Sequence, residues 1–471
     1  MRLASYLTTA VYALALVIPS HAVIYKQDQV MLEGIEFLDH ISETRLVGGD
    51  FPEYWFNQKR DHYSKHAGNF KQRYFLNDTY YKPGGPILLY APGESTARPI
   101  GGGLLRELAK TTKGLMVSLE HRYYGKSLPT QHSDVHGMRF LTVDNALADM
   151  AYFIQHVKIP GVNTKKAKWA VIGGSYGGVQ AAWMRQAYPK LVHAALASSA
   201  PVQIKEDFYE YDLALTAALP CSKDLHKITR HVDQALDSGN RTTIDNIKEL
   251  FGLQQYDDEN FIFAYGDSLG YLVQYSWPQK DPINAFCKPV TEAKTLENKI
   301  RAWGKYINRL NDDFPNIAQN YDDLHKKPNH NDNKSWYWQI CSELGYFQTA
   351  PRGKYPSVRS QRYNLKLMRD FCKQTFGKPM RPNVAKVNRK HHGWNIKTTR
   401  IHFTDGEIDP WRRLSVNAPN APKRRSNSNN PLAIIENGSH CTDLYSSTKY
   451  DWESLLKARE STIKAFKRWL L

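Results

Sequence analysis

Past Ala22 the sequence contains no apolar run approaching the roughly 20 residues that a helical membrane span requires, so no span is expected in the mature chain. It contains no internal repeat, and its one low-complexity patch is the polar stretch from Ala421 to Pro431. A net charge of +17 comes without any recognisable nucleic-acid-binding module. The basic residues are scattered, with small clusters at Lys165, Lys166 and Lys168, from Arg389 to His392 and from Lys423 to Arg425. These read as solvated loop faces, and nucleic acid is not an expected partner. Cysteine is scarce, at Cys221, Cys287, Cys341, Cys372 and Cys441. In an oxidising compartment that odd number gives two disulfides and one remaining thiol, and spacing alone does not choose the pairs. No metal or cofactor is expected.

What is present describes a globular chain bound for the secretory pathway. At 471 residues, 41% hydrophobic and 12% aromatic, it can bury a large core in one elaborated domain or two. Met1-Arg2, the apolar stretch from Leu7 to Pro19 and Ser20-His21-Ala22 match the charged, apolar and cleavable parts of a signal peptide, expected over residues 1–22. The apolar stretch is too short for a membrane anchor. Sequons at Asn77, Asn240 and Asn333, each in polar surroundings that read as loops, agree with secretion or delivery to a lysosome or vacuole and are expected to carry glycans.

The most informative stretch is Trp169 to Gly178, W-A-V-I-G-G-S-Y-G-G. Val171 and Ile172 read as the end of a buried strand, and the glycines on both sides of Ser175 permit a turn too tight for side chains. That is a nucleophile elbow: the Ser175 hydroxyl stands at the top of a sheet, and the Tyr176 N–H points to where an oxyanion would form. The helix expected from Val179 through Gln186 adds its positive end to the same spot.

From about residue 85, short apolar runs alternate with longer amphipathic ones. Candidate strands are Pro86–Ala91, Leu115–Glu120, Lys168–Gly173, Ala194–Ser199, Arg400–Thr404 and Leu432–Glu436, with candidate helices at Leu104–Thr111, Val143–His156 and Gln180–Tyr188. This is the order of an α/β-hydrolase fold. Between Pro201 and Gly393 the strand rhythm stops, and helical, aromatic-rich stretches run from Cys221 to Leu236, Thr242 to Phe251 and Leu296 to Leu310. The expected organisation is a hydrolase domain in two parts, residues 23–200 and 394–471, interrupted by a helical cap over residues 201–393. A final amphipathic helix is expected from Trp452 to Leu470.

A serine nucleophile needs a base, and the base needs a carboxylate to hold its tautomer. In α/β-hydrolases these follow in the order Ser, Asp or Glu, His, each on a loop after a strand. After the Arg400–Thr404 run come Asp405, Glu407 and Asp409; after Leu432–Glu436 comes His440, the one histidine beyond Asp409. His440 is therefore the candidate base. Asp405 could cap the strand end and Glu407 could be a solvated turn residue, or either could orient His440. Asp409 is preferred because Pro410 and Trp411 would stiffen and shield it. A fourth sequon, at Asn437, is expected to stay bare, since a glycan three residues before the base would stand at the mouth of the site. Cys441 reads as a buried filler.

These motifs resemble a family of serine peptidases that includes lysosomal Pro-X carboxypeptidase, dipeptidyl peptidase II and thymus-specific serine protease. The matching stretches are Phe56-x-Gln58-x-x-Asp61-His62-Tyr63, Glu120-His121-Arg122-Tyr123-Tyr124-Gly125-x-Ser127, Gly173 to Gly178, Trp338-Gln339-x-Cys341-Ser342-Glu343, Asp405-Gly406-x-x-Asp409-Pro410-Trp411 and Gly438-Ser439-His440-Cys441-x-Asp443-Leu444. They span residues 56–444, nearly the whole mature chain. The segment Asp409 to Val416 looks closest to the thymus-specific branch. Asp405 departs from the Asn often found there, Ser342 from Thr, and Val179 stands at a position that varies.

The resemblance implies a triad of Ser175, Asp409 and His440, disulfides Cys221–Cys287 and Cys341–Cys372, and a free Cys441. It also implies a proline-favouring pocket walled by Trp411, with Val179 and Tyr346 nearby. The oxyanion would be held by the Tyr176 N–H and a second backbone donor near Gly93. Glu94 could bind a substrate amine or make a structural salt bridge. The expected function is a secretory-pathway serine peptidase acting on peptides, cleaving the bond after proline by a Ser-Asp-His acyl-enzyme mechanism and preferably as an exopeptidase. An esterase or lipase on the same scaffold and a catalytically inactive binding protein are the alternatives. The oligomeric state is open, a homodimer being one option.

Overall fold

The computed structural model describes residues 51–276, 281–313, 330–353 and 355–471. The expected signal peptide lies outside the described residues. Strand β1 (Glu53–Lys59) pairs antiparallel with β2 (Asn69–Asn77), which pairs antiparallel with β4 (Leu115–Leu119). From there the sheet is parallel: β4 pairs with β3 (Ile87–Tyr90), β3 with β5 (Trp169–Gly174), and β5 with β6 (Val192–Ser198). Two short strands, β7 (Lys205–Asp207) and β8 (Gly345–Phe347), form a separate parallel pair. The large sheet then continues through β9 (Ile401–Gly406) to β10 (Leu432–Ile435), giving the order β1-β2-β4-β3-β5-β6-β9-β10. The six expected strands are all present. β1 and β2 were not expected: β1 lies at the sheet edge and exposes most of its residues, Tyr54 and Trp55 among them, unlike the buried runs that mark the central strands.

Alternation along the central strands sorts residues between two helical layers. Leu88, Met116 and Ile172 pack on one face with Leu104, Leu105 and Leu108 of α1 (Gly103–Thr112) and Phe466 and Trp469 of the C-terminal helix (Glu453–Leu470). Their neighbours Leu89, Val117 and Val171 pack on the other face with Phe153 of α2 (Val143–His156) and Trp183 of α3 (Ser175–Ala187). Helix α2 starts where Thr142 accepts the Asn145 N–H through its side chain, an N-cap that satisfies an otherwise orphan donor.

β6 and β9 are adjacent in the sheet, yet everything from Ser199 to Arg400 lies between them in sequence. This insertion carries α4 (Glu210–Ala218), α5 (Ser222–Asp237), α6 (Arg241–Phe251), α7 (Asp258–Gln274), α8 (Pro282–Glu292), α9 (Leu296–Asp313), α10 (Asp332–Gln339), α11 (Leu365–Phe376) and α12 (Val384–His391). It is helical as expected, and the unexpected β7–β8 pair joins its start to the segment that follows α10. In α5, Leu225, Ile228, Val232, Ala235 and Leu236 are buried, the spacing of one helix face. The disulfides are Cys221–Cys287 and Cys341–Cys372, and Cys441 is free and buried.

Two sequons are not the loops they were expected to be. Asn77 closes β2, is 3% exposed and donates through Nδ2 to Ile100 O at 2.9 Å, so its amide faces protein. Asn333 lies in the first turn of α10, where Ser335 is buried and donates to Tyr123 O at 2.8 Å. Asn240 is exposed and caps α6.

Candidate active site

β5 ends at Gly174, and α3 begins at Ser175, whose φ of 54° is a left-handed conformation that few non-glycine residues adopt. The helix starts five residues before the expected Gln180, because the turn itself forms its first turn. A Cβ at Gly177 would collide with Ala91 O, and one at Gly173 with Gly177 itself, so bare backbone lets the helix start press against β3 and β5. Gly93 closes in from the loop after β3: a Cβ there would lie 2.7 Å from Gly177 N. This brings the Gly93 loop beside Tyr176.

Asp409 follows β9 and precedes a short 3₁₀ turn, Pro410–Leu414. Its Oδ1 accepts the Trp411 N–H at 2.9 Å, and its Oδ2 lies 2.9 Å from His440 Nδ1. Both side chains are fully buried. The other two candidate acids face elsewhere. Asp405 Oδ2 accepts Ser415 Oγ at 2.9 Å and Asn417 Nδ2 at 2.8 Å, and the exposed Glu407 accepts the Asn437 N–H. The His440 loop is tied down on all sides: His440 N donates to Gln274 O at 3.1 Å, Cys441 N to Ser199 Oγ at 2.8 Å, and Ser439 Oγ to Ser276 O at 2.6 Å.

His440 Nε2 is buried and has no hydrogen-bond partner among the described residues. No hydrogen bond joins it to Ser175, but the two residues share a neighbour. Burial raises the Glu94 carboxyl above its usual range, opposed by its own backbone N–H, by the charge of His440 and by a hydrogen bond with Ser175. The elbow and the histidine loop also touch directly, since a Cβ on Gly174 would come within 2.8 Å of Cys441 Sγ. For His440 itself burial disfavours the charged imidazolium; the Asp409 carboxylate, helped by the Cys441 sulfur, outweighs it and holds His440 well above its ordinary value. Asp405 is pushed far up by burial and by the nearby Asp409 charge.

Ser175 opens into a cavity of about 270 Å³ between the sheet and the insertion. Glu94, Trp411 and Cys441 line it from the sheet side, and Tyr211, Gln274, Tyr346 and Met368 from the insertion. Trp411 and Tyr346 meet edge to face at 5.4 Å between ring centroids. Glu94 makes no ion pair among the described residues, so the structural salt bridge is not found. Val179 is not in the wall: its side chain is completely buried in the core. Val179 packs into the core and does not line the cavity, and Met368 of α11 lines it at a position that no local sequence signal marked. Asn333 lines the cavity, whereas the exposed Asn437 does not, so the reason for expecting a bare Asn437 is not met.

Several shared motif residues hold the scaffold instead of facing the cavity. Arg122 forks onto Asp149, with both bonds at 2.6 Å, and His62 Nε2 meets the same carboxylate at 2.7 Å. Asp443 accepts Ser198 Oγ at 2.5 Å and Thr404 Oγ1 at 2.8 Å, joining the ends of β6 and β9. Gln339 bridges Tyr124 and Tyr176, accepting the Tyr124 OH at 2.6 Å and reaching the Tyr176 oxygen at 2.9 Å.

A sheet of this order, a serine on the turn into the helix after β5, and an Asp–His pair on the loops after β9 and β10 define an α/β-hydrolase. The sequence match to the family described as serine carboxypeptidase S28 covers residues 58–462. The chain belongs to that family of serine peptidases. It is 32% identical over 421 residues to an Arabidopsis thaliana protein named "Probable serine protease EDA2", covering 83% of this chain and 81% of that one. It is 28% identical to the human lysosomal Pro-X carboxypeptidase, covering 90% and 89%. It is also 28% identical to a protein of Arthroderma benhamiae named "Probable extracellular serine carboxypeptidase", covering 86% of this chain and 65% of that one.

Proposed function

We propose that the protein is a secretory-pathway exopeptidase that cleaves after proline through an acyl-enzyme on Ser175. His440 Nε2 takes the hydroxyl proton as Ser175 Oγ attacks the peptide carbonyl, and Asp409 steadies the imidazolium. The Tyr176 N–H and a backbone donor of the Gly93 loop hold the oxyanion. The C–N bond then breaks, His440 returns the proton to the leaving amine, and a water deprotonated by His440 hydrolyses the ester to free the acid and restore Ser175.

The observation that carries this reading is the buried Asp409–His440 pair whose outward nitrogen has no partner beside the Ser175 cavity. Trp411 and Tyr346 supply flat aromatic walls, which suit a rigid proline ring that brings no N–H to satisfy. A small cavity overhung by the insertion suits a chain end, and Glu94, close to Ser175, suits a free amine. The two disulfides, together with relatives named as extracellular and lysosomal, favour a secreted, lysosomal or vacuolar location. Asn240 is the sequon best placed for a glycan.

The test is turnover of Lys-Pro and Ala-Pro anilides, Pro-Phe-ended peptides and a short fatty ester by the purified protein between pH 4 and 8. The proposal expects proline-dependent release from a peptide end. Turnover of the ester alone would make the protein an esterase and overturn it.

A further inference from the structure

Four residues close a hydrogen-bonded ring that crosses from the sheet into the insertion. His440 N donates to Gln274 O at 3.1 Å, and Gln274 Oε1 accepts the Trp411 indole N–H at 2.9 Å. Trp411 N in turn donates to Asp409 Oδ1 at 2.9 Å, and Asp409 Oδ2 returns to His440 Nδ1 at 2.9 Å. Gln274 is the only member from the insertion. It ends α7 and lies on the cavity wall.

The chemistry of its partners fixes which way its amide points. An indole N–H can only donate, so the atom facing Trp411 is the carbonyl oxygen. The same oxygen accepts the Tyr211 hydroxyl at 2.9 Å, while Nε2 donates to Tyr275 OH at 3.0 Å. Trp411 Nε1 has no other acceptor among the described hydrogen bonds, and the ring also packs on Tyr211 at 5.6 Å and Phe208 at 5.5 Å. Those apolar contacts keep the indole in place but do not choose which edge faces the cavity. The single polar tether to Gln274 does.

We infer that Gln274 is a specificity-determining residue: its side-chain carbonyl sets the orientation of the Trp411 wall, and so the fit of the residue before the cut bond. The inference rests on Trp411 walling a proline pocket, as proposed above. It makes the insertion part of the pocket's alignment as well as its roof, because the residue that orients the indole also holds the His440 backbone.

The experiment compares kcat/KM for Ala-Pro and Ala-Ala anilides in wild type, Gln274→Leu, Gln274→Glu, Trp411→Phe and the Gln274→Leu/Trp411→Phe double variant. Leucine removes the acceptor, and glutamate retains one. The preference for proline over alanine is expected to fall roughly tenfold in Gln274→Leu, through KM more than kcat, and to be largely kept in Gln274→Glu. Trp411→Phe keeps an aromatic face but loses the indole N–H, so it should show a similar loss, and the double variant should be no worse than the poorer single one. A role confined to stability would lower both substrates alike. An unchanged preference in Gln274→Leu, an equal loss on both substrates, or additive losses in the double variant would overturn the inference while leaving the peptidase reading intact. A wild type that cleaves both anilides with no preference for proline would overturn the proline reading and this inference together.

Discussion

The Asp409 carboxylate and the His440 imidazole face each other at 2.9 Å, Oδ2 to Nδ1, where neither side chain has any exposed surface. An acceptor held there forces the imidazole proton onto Nδ1 and leaves Nε2 free to act as a base. Asp409→Asn would present a donor or a neutral acceptor instead, and kcat on a proline substrate should fall by about 10⁴. Measured kcat within tenfold of wild type would show that Asp409 does not hold the catalytic tautomer.

In the proposed mechanism the same pair sets the acid side of the pH profile. A base works only when neutral, and the Asp409 carboxylate holds the His440 imidazolium well above its ordinary value. Activity should therefore rise with pH through that raised value. In Asp409→Asn the residual activity should keep its maximum to a lower pH, because the stabilising negative charge is gone. Profiles of kcat/KM for the two proteins, compared over the same range, test the direction of the shift.

Buried carboxyls should also tie stability to acidity. Burial pushes the fully enclosed Asp212 up to about 7 from an ordinary 3.8, against the pull of Arg359. A raised value in the folded state means that its contribution is fully present below about pH 4 and is lost as pH rises through 7. The ceiling on that contribution is on the order of 4 kcal/mol. Asp212→Asn lacks the effect, so its Tm relative to wild type should climb between pH 4.5 and 8. A constant difference across that range would contradict the assignment.

The two disulfides close stretches of 66 and 31 residues within the insertion. Chain-entropy arguments assign each about 4 kcal/mol in loops of that length. Replacing either pair with serine should lower the thermal midpoint by several degrees, and the unreduced wild-type protein should contain one alkylatable thiol, Cys441, only after denaturation.

If the chain passes through a secretory host, Asn240 should be glycosylated and Asn77 should not. Asn240 is exposed at a helix start, whereas Asn77 is buried with its amide engaged by Ile100 O. Deglycosylation in heavy-oxygen water followed by peptide mapping should convert residue 240 to Asp and leave residue 77 as Asn.

The parallel core was legible because its strands are continuous apolar runs and its glycine-rich turn admits one geometry. Chain order then left His440 as the one base available after β9, and of three nearby acids the structure brings Asp409 to it. What stayed hidden depends on long-range packing. β1 is an edge strand whose Tyr54 and Trp55 stay exposed, and Asn77 looks like a loop sequon until β2 buries it. Val179 sits four residues after the serine, yet its side chain is buried in the core. Met368 and Gln274 reach the cavity from helices far away in sequence. Nothing local distinguishes Gln274 in Y-L-V-Q-Y-S-W; its pairing with Trp411 across 137 positions is visible only after folding.

The central claim is that Ser175, carried on the elbow, is a nucleophile served by His440. It is tested most directly by treating the purified protein with a fluorophosphonate and mapping the adduct by mass spectrometry. One adduct per chain on the peptide containing Ser175, absent in Ser175→Ala and strongly slowed in His440→Ala, is the predicted result. No adduct on a folded wild-type protein, or an adduct that persists in Ser175→Ala, would contradict it.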